Sequence, residues 1–169
     1  MGSTYLLKLL ETASPEKFIR LFNRFGKWII PFNRPHRLRI ETLTNQLCIT
    51  TIPYRRTNWN HLKGIHAGAI ATLGEFTAGI LLISNYGMSR YRLILSRLEV
   101  EYHYQGKTNL QASAQFDPAD KDRIRELLEK GEPAVVEMKT ELEDKNKNKV
   151  ATVKTLWQMK SWDAVKTKV

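Results

Sequence analysis

Hydrophobic and polar positions follow two different periods along this chain. Residues 15–30 have helical spacing after the start signal Ser14-Pro15, residues 119–130 form a short polar helical pattern, and residues 4–12 are a further candidate helix. Strand-like patterns occupy six other segments: 37–44, 47–54, 91–105, 109–116, 132–143 and 150–162. The pattern predicts one α+β domain with about six mainly antiparallel strands.

Residues 64–83 are apolar around almost the whole helical circumference and predict a buried helix that continues to about residue 85. We expect the sheet to curl around this helix. The segment also has the ~20 residues that a membrane span requires. It carries His66 and Glu75, however, and strand-like segments surround it, which favours a core helix.

Glu75 is the only Asp, Glu, Lys or Arg between Lys63 and Arg90. A buried lone carboxylate is costly unless it is paired, and proteins tend to keep such groups at working sites. Ala67 and Gly68 lie at the predicted helix N-terminus, where free N–H groups can polarise a carbonyl oxygen. Because roughly 10–12 Å of helix separates Ala67 from Glu75, we expect a neighbouring subunit to complete any pocket.

The segment 15–30 is predicted to be a basic amphipathic helix. Residues 1–39 hold eight Lys and Arg against two Glu, which is +6 of the net charge of +10. The apolar positions at helical spacing are Phe18, Leu21, Phe22, Phe25 and Ile29. This stripe is predicted to pack on the domain or on a second subunit, and peripheral membrane contact is the alternative. The charge favours anionic partners, but no nucleic-acid-binding module is recognisable, so we expect no nucleic acid partner.

Cys48 is the single cysteine and lies in a strand-like alternation, which predicts an inert buried thiol. The first residues match neither a secretory signal nor a myristoylation pattern. These features fit a reducing, cytoplasmic location. His61, His66 and Glu75 match no usual zinc-ligand spacing, so we expect no metal.

One motif is more specific than any of these features. The motif is Asn60-His61-x-x-Gly64-x-His66-Ala67-Gly68-Ala69, followed by Glu75 and by Ala78-Gly79. With this motif the chain resembles the hotdog-fold thioesterases, closest to the PaaI-like group and its DUF4442 branch. The resemblance implies a hotdog domain over residues 37–169, a curled antiparallel sheet wrapped round one long helix. Residues 1–36 would be an N-terminal helical extension.

The resemblance also implies roles for four residues. Glu75 stands at the family's acid, which acts as general base on water or as nucleophile on a thioester. Asn60 stands at the amide that positions the water or the acid from the other subunit. The N–H of Ala67 stands at the oxyanion-hole amide, and His66 at a histidine that lines the pocket. The usual His-Gly-Gly is His66-Ala67-Gly68 here.

Substrates of such proteins are acyl-CoA or acyl-carrier-protein thioesters, with coenzyme A as part of the substrate and no separate cofactor. The proteins are dimers, often paired into tetramers, with active sites between protomers. Relatives often carry Ser or Thr about eighteen residues past the acid, where this chain has Leu93, with Ser89 and Ser96 nearby. The Lys and Arg candidates for the CoA phosphates are Lys63, Arg90, Arg92 and Arg97.

Each site residue also has a structural interpretation. Glu75 could be bonded to Asn60 or to a backbone amide, His66 could cap the helix, and Asn60 could fix its loop. Two other functions stay open. The first is an acyl-thioester hydratase or dehydratase that pairs His66 with Glu75. The second is a non-catalytic acyl-CoA or lipid binder.

Overall fold

The computed structural model describes residues 12–165, so the candidate helix over residues 4–12 lies almost wholly outside the described part of the chain. Its helices are α1 (Pro15–Ile29), α2 (Ala67–Tyr86) and α3 (Pro118–Glu129). Its strands are β1 (Arg39–Leu43), β2 (Leu47–Ile52), β3 (Tyr91–Tyr102), β4 (Leu110–Gln115), β5 (Ala134–Asp144) and β6 (Lys149–Ser161). The predicted order of elements is confirmed within these residues.

The six strands form one curled sheet in the order β1-β2-β4-β5-β6-β3, and every neighbouring pair is antiparallel. Alternate residues of β5 are buried, so one face of the sheet, here called the inner face, packs on α2. The α+β hotdog architecture that the sequence motif implied is therefore confirmed.

Helix α2 lies against the inner face and contacts β2, β3, β4, β5 and β6. Gly74 lets the helix approach β6 closely, because a Cβ there would stand 2.5 Å from Cγ2 of Val153. The hydroxyls of Thr77 and Thr50 form a hydrogen bond in the core, with 2.6 Å between their oxygens. The helix is long and apolar enough to span a membrane, but 67% of its most apolar window is buried inside the protein. Such burial is typical of a core helix.

Helix α1 packs on the same core. Ser14 caps it by accepting a hydrogen bond from the N–H of Lys17, and Pro15 occupies the first turn. Phe18 and Phe22 are buried, and the ring of Phe22 lies 5.9 Å from that of Phe76 in α2. The aromatic stripe thus packs on the domain, one of the two packing partners expected. The division of the chain at residues 36 and 37 stays a prediction.

Strand β3 lies at one edge of the sheet and ends at Tyr102, three residues before the predicted end. A bulge between Leu95 and Arg97 shifts its register against β6. Beyond the bulge, Leu98 pairs with Thr155 and Tyr102 with Ala151, whose side chains are buried. Leu98 and Tyr102 therefore lie on the inner face, yet they are 40% and 49% exposed.

Candidate active site

The start of α2 is organised by His66, which is its N-cap. The ring Nδ1 accepts a hydrogen bond from the N–H of Gly68 at 3.0 Å. An accepting Nδ1 carries no proton, so the neutral ring has its proton on Nε2. Because His66 is exposed in the protomer, Nε2–H is open to a ligand or to another chain.

The two small residues that follow differ in their bonding. The N–H of Gly68 is used by His66, whereas the N–H of Ala67 has no partner among residues 12–165. The hydroxyl of Tyr102 donates to the carbonyl of Ala67 at 3.0 Å and ties β3 to the start of the helix. Of the two predicted oxyanion-hole amides, the one on Ala67 is therefore the available donor.

Asn60 lies in the loop before α2, and its side-chain oxygen shapes that loop. Oδ1 accepts from the N–H groups of Leu62 and Gly64 at 2.9 and 3.0 Å. The side-chain nitrogen has no hydrogen-bond partner in the described part of the chain. The oxygen thus has a structural role, and Nδ2–H₂ is left as a donor that a water or a carboxylate can use.

Glu75 belongs to a stripe of α2 that the sheet does not cover. Gly68, Ala71, Thr72 and Glu75 recur at helical spacing and are exposed or half-buried, whereas most other positions of the helix are buried. Burial raises the pKa of the Glu75 carboxyl above its ordinary value. Within residues 12–165 the carboxylate makes no hydrogen bond and no ion pair.

The amide of Ala67 and the carboxylate of Glu75 are far apart along α2. Ala67 and Glu75 are eight residues apart, or about 12 Å along the helix axis. The exposed inner-face side chains of Leu98 and Tyr102 lie on the neighbouring strand β3. The described part of the single chain therefore presents a carboxylic acid, an unbonded amide and apolar surface on one open side, but it does not bring the acid and the amide together.

The predicted phosphate-binding cations are in varied settings. Arg97 pairs with Glu99 at 3.2 Å, and the guanidinium of Arg90 lies 5.6 Å from the centre of the Tyr91 ring. Lys63 is exposed and has a left-handed backbone with φ of 57°. Nε of Arg92 is buried and has no hydrogen-bond partner in the described chain. None of these contacts selects one cation over the others.

Three positions near the site escaped the sequence reasoning. Buried Asn58 accepts the N–H of His66 through its backbone carbonyl, and its side chain donates to the carbonyls of His36 and Pro53. Thr72 precedes Glu75 by three residues on the same stripe, a spacing visible in the sequence. Tyr102 contacts Ala67 from 35 residues away, which no local pattern indicates.

Two other reactive side chains, Cys48 and Ser96, are held within the fold. Cys48 is fully buried, as predicted, and burial raises the pKa of its thiol to about 12, which disfavours the reactive thiolate. The Ser96 hydroxyl donates to the carbonyl of Leu156 at 2.9 Å. Residues 12–165 contain no group of three or more His, Cys, Asp or Glu side chains placed to hold a metal.

Solved structures with the same fold include a Pseudomonas aeruginosa protein of unknown function, described as a probable thioesterase, at a TM-score of 0.77. It is 24% identical, over 89% of this chain and 99% of that one. A Chlorobaculum tepidum protein of unknown function has a TM-score of 0.76 and 11% identity, over 87% and 96% of the two chains. A Haemophilus influenzae thioesterase has a TM-score of 0.66 and 8% identity, over 89% and 92%. At these identities the likeness shows the fold.

No curated protein matches the chain significantly in sequence. A family model does match it, over residues 19–159, a range that covers most of α1, nearly the whole sheet and the stripe with Glu75. Because the match spans most of the chain, the protein belongs to the family described as domain of unknown function DUF4442.

Proposed function

We propose that the protein hydrolyses acyl thioesters of coenzyme A or of acyl-carrier protein, with the Glu75 carboxylate as general base or nucleophile. The observation that carries the proposal is the half-buried, unpartnered carboxylate on the open stripe of an otherwise buried helix. The free N–H of Ala67 at the start of the same helix supports it. Two of the structures that share the fold are described as thioesterases, one of them as a probable one.

In the proposed reaction the thioester carbonyl oxygen accepts the N–H of Ala67, which stabilises negative charge as it develops. Glu75 takes a proton from water while the water oxygen attacks the carbonyl carbon. The tetrahedral intermediate then collapses, the C–S bond breaks and the proton passes to the leaving thiolate. In the alternative course Glu75 attacks the carbonyl carbon itself, the C–S bond breaks and the thiolate leaves. Water then hydrolyses the resulting mixed anhydride, which restores Glu75 and supplies the proton that the thiolate takes.

The distance along α2 supports a proposal in which these two roles fall to different protomers. About 12 Å of helix between Ala67 and Glu75 is too long for one water and one carbonyl group. We therefore propose a homodimer in which the edge strand β3 pairs with β3 of a second copy. Each Glu75 then faces the helix start of the other copy, with the free side-chain nitrogen of Asn60 as a donor to the water. Two such dimers could pair into a tetramer.

The apolar part of the open side suits an acyl chain. Leu98 and Tyr102 lie next to the stripe, so the chain would run along α2 into the seam between protomers. Coenzyme A belongs to the substrate here and is not a resident cofactor. A cytoplasmic location stays a prediction.

The test is thiol release from a panel of short, long and aromatic acyl-CoAs by wild type and Glu75→Gln. Gln keeps the shape but cannot take the proton, so turnover should fall at least about a hundredfold. Glu126→Gln, the same change on the exposed face of α3, is the control and should keep wild-type turnover. Both variants should melt as cooperatively as wild type.

The other outcomes are informative. Retained turnover in Glu75→Gln would refute the assigned role of the carboxylate. Loss of enoyl-CoA absorbance without thiol release would indicate a hydratase. Tight acyl-CoA binding by folded wild type without any chemistry would indicate a binding protein.

A further inference from the structure

A cavity of about 920 Å³ lies on another part of the molecule, between α1, residues 30–39 and the end of β2. Its floor is apolar and includes Phe22, Ile52 and Phe76. Glu75 is not among its lining residues. The cavity is therefore distinct from the open stripe of α2, and the proposed hydrolysis gives it no role.

The walls of this cavity are strongly basic. Six cationic side chains line it: Arg24, Lys27, Arg34, Arg37, Arg39 and Arg55. Glu41 is the one lining carboxylate, and it accepts a hydrogen bond from the hydroxyl of Thr51 at 2.8 Å. Within residues 12–165 none of the six cations forms an ion pair. Such a concentration of unpaired positive charge favours a guest that carries negative charge.

Hydrogen bonds between distant segments hold the walls in place. The Asn23 side chain bonds both the N–H and the carbonyl of Ile40 at 2.9 Å, which joins α1 to β1. Asn58 donates to the carbonyls of His36 and Pro53 and so fixes the segment that carries Arg34 and Arg37. The arginine cluster is thus positioned by the fold before any ligand arrives.

The backbone and the polar lining of this segment are also unusual. Arg37 has φ of 54°, a left-handed conformation that side chains other than glycine rarely adopt. Oδ1 of Asn33, another lining residue, is buried without a hydrogen-bond partner in the described chain. It can accept a hydrogen bond from a hydroxyl of a bound molecule. A left-handed arginine and an unbonded buried oxygen are both more typical of a binding site than of a solvated turn.

Two large, exposed aromatic side chains belong to residues that adjoin lining residues of the cavity in sequence. Trp28 is 63% exposed and Phe32 is 69% exposed. Lys27 and Arg34, both lining residues, place their charges 5.4 and 5.8 Å from the centre of the Trp28 ring. Exposed aromatics beside cations are typical of surfaces that enter the headgroup region of a bilayer.

We propose that this face docks on an anionic lipid bilayer, with a phospholipid headgroup in the basic cavity and Trp28 and Phe32 in the membrane interface. A small free phosphate would leave the two aromatic side chains in water. A second copy of the same face would bring like charges together. An anionic bilayer satisfies both the cations and the aromatics.

The experiment is co-sedimentation of the full chain with vesicles, either of phosphatidylcholine alone or of an equal mixture with phosphatidylglycerol. Wild type should bind the mixture and not the neutral vesicles. The double variant that combines Arg24→Gln and Arg34→Gln should bind the mixed vesicles roughly 25-fold more weakly, at about fivefold for each cation removed. Trp28→Ser with Phe32→Ser should weaken it as well, because the interface loses its apolar anchors.

The control is Lys130→Gln with Lys154→Gln, which removes the same charge from exposed positions that do not line the cavity. This variant should bind like wild type, and an equal loss would show attraction to net charge alone and refute the site. Binding that survives loss of both aromatics and is displaced by glycerol phosphate would indicate a free-phosphate site instead. A change of oligomeric state in the aromatic variant would show a subunit interface. Absence of binding by wild type would refute the proposal whatever the hydrolysis assay gives.

Discussion

The half-buried carboxyl of Glu75 affects both the stability of the fold and the proposed chemistry of the site. Its burial raises the pKa of its carboxyl, and no described residue compensates the charge. A carboxylate with a raised pKa is a stronger base near neutral pH, which suits the proposed proton abstraction. The same burial has a consequence for stability, because the folded state holds the proton more tightly than the unfolded chain.

We therefore expect the stability difference between wild type and Glu75→Gln to depend on pH. The contribution of protonated Glu75 is fully present below the ordinary glutamate pKa of 4.5 and is lost as the pH rises through the raised folded value. Wild type should lose stability relative to the variant over that interval. Urea unfolding of both proteins at several pH values measures the difference. A constant difference would mean that Glu75 titrates alike in both states.

Asn60 combines a structural oxygen with a free nitrogen, and the two roles can be separated. Asn60→Asp keeps an acceptor for the N–H groups of Leu62 and Gly64 but removes the N–H₂ donor. Its stability should stay near that of wild type while kcat falls. Asn60→Ala should lose stability as well, by about 1–3 kcal/mol, because two N–H groups lose their acceptor. Turnover at the wild-type rate in Asn60→Asp would leave Asn60 with its loop role alone.

At the scale of elements, the site depends on how closely α2 lies against the sheet. Gly74 sits where β6 touches the helix, one residue before Glu75. A Cβ there would meet Cγ2 and Cβ of Val153 at 2.5 and 2.6 Å. Val153 is β-branched and has few rotamers with which to yield. The helix would have to move away from the strand and carry Glu75 with it.

Gly74→Ala should accordingly destabilise the protein by about 1–3 kcal/mol through overpacking. Gly68→Ala is the matched control on the same helix, because its Cβ would meet only the His66 ring, at 3.3 Å and beyond. That variant should be as stable as wild type or more stable by up to about 1 kcal/mol. Thermal or urea unfolding of the pair decides the matter. Equal stabilities would show that α2 can shift freely on the sheet.

At the scale of the whole molecule, the open side next to β3 is an unpaired sheet edge within the described chain. Leu98 is an exposed apolar side chain on the inner face of an edge strand, where soluble proteins rarely leave a long unpaired edge. The proposed dimer covers this side and brings Glu75 of one copy near Ala67 of the other. Oligomeric state and turnover should therefore be coupled.

Leu98→Asp should shift the protein toward monomer and abolish turnover, because a charge enters an apolar seam. Val135→Asp is the matched control, an equally drastic change at a side chain that is 47% exposed on the opposite face of the sheet. It should keep the dimer and the activity. Light scattering after gel filtration, combined with the thiol assay, tests both variants. A fully active Leu98→Asp monomer would refute the composite site.

The sequence by itself determined the elements, their order and the candidate acid. Those features rest on periodicity and on local signals such as Ser14-Pro15, which act within a few residues. The buried helix and its lone carboxylate follow from the absence of other charges over residues 64–89. The motif around His66 added the hotdog architecture, and the sheet order agrees with it.

Only the tertiary structure decided which groups are free to act. Among residues 12–165 it left the N–H of Ala67 without a partner and bonded that of Gly68 to His66, and it gave Asn58 its buried contacts. It also gathered arginines from α1, residues 34–39 and the end of β2 around one cavity. Hydrogen-bond partners and charge clusters come from segments far apart in the chain. Local pattern carries no information about such contacts until the sheet has brought the segments together.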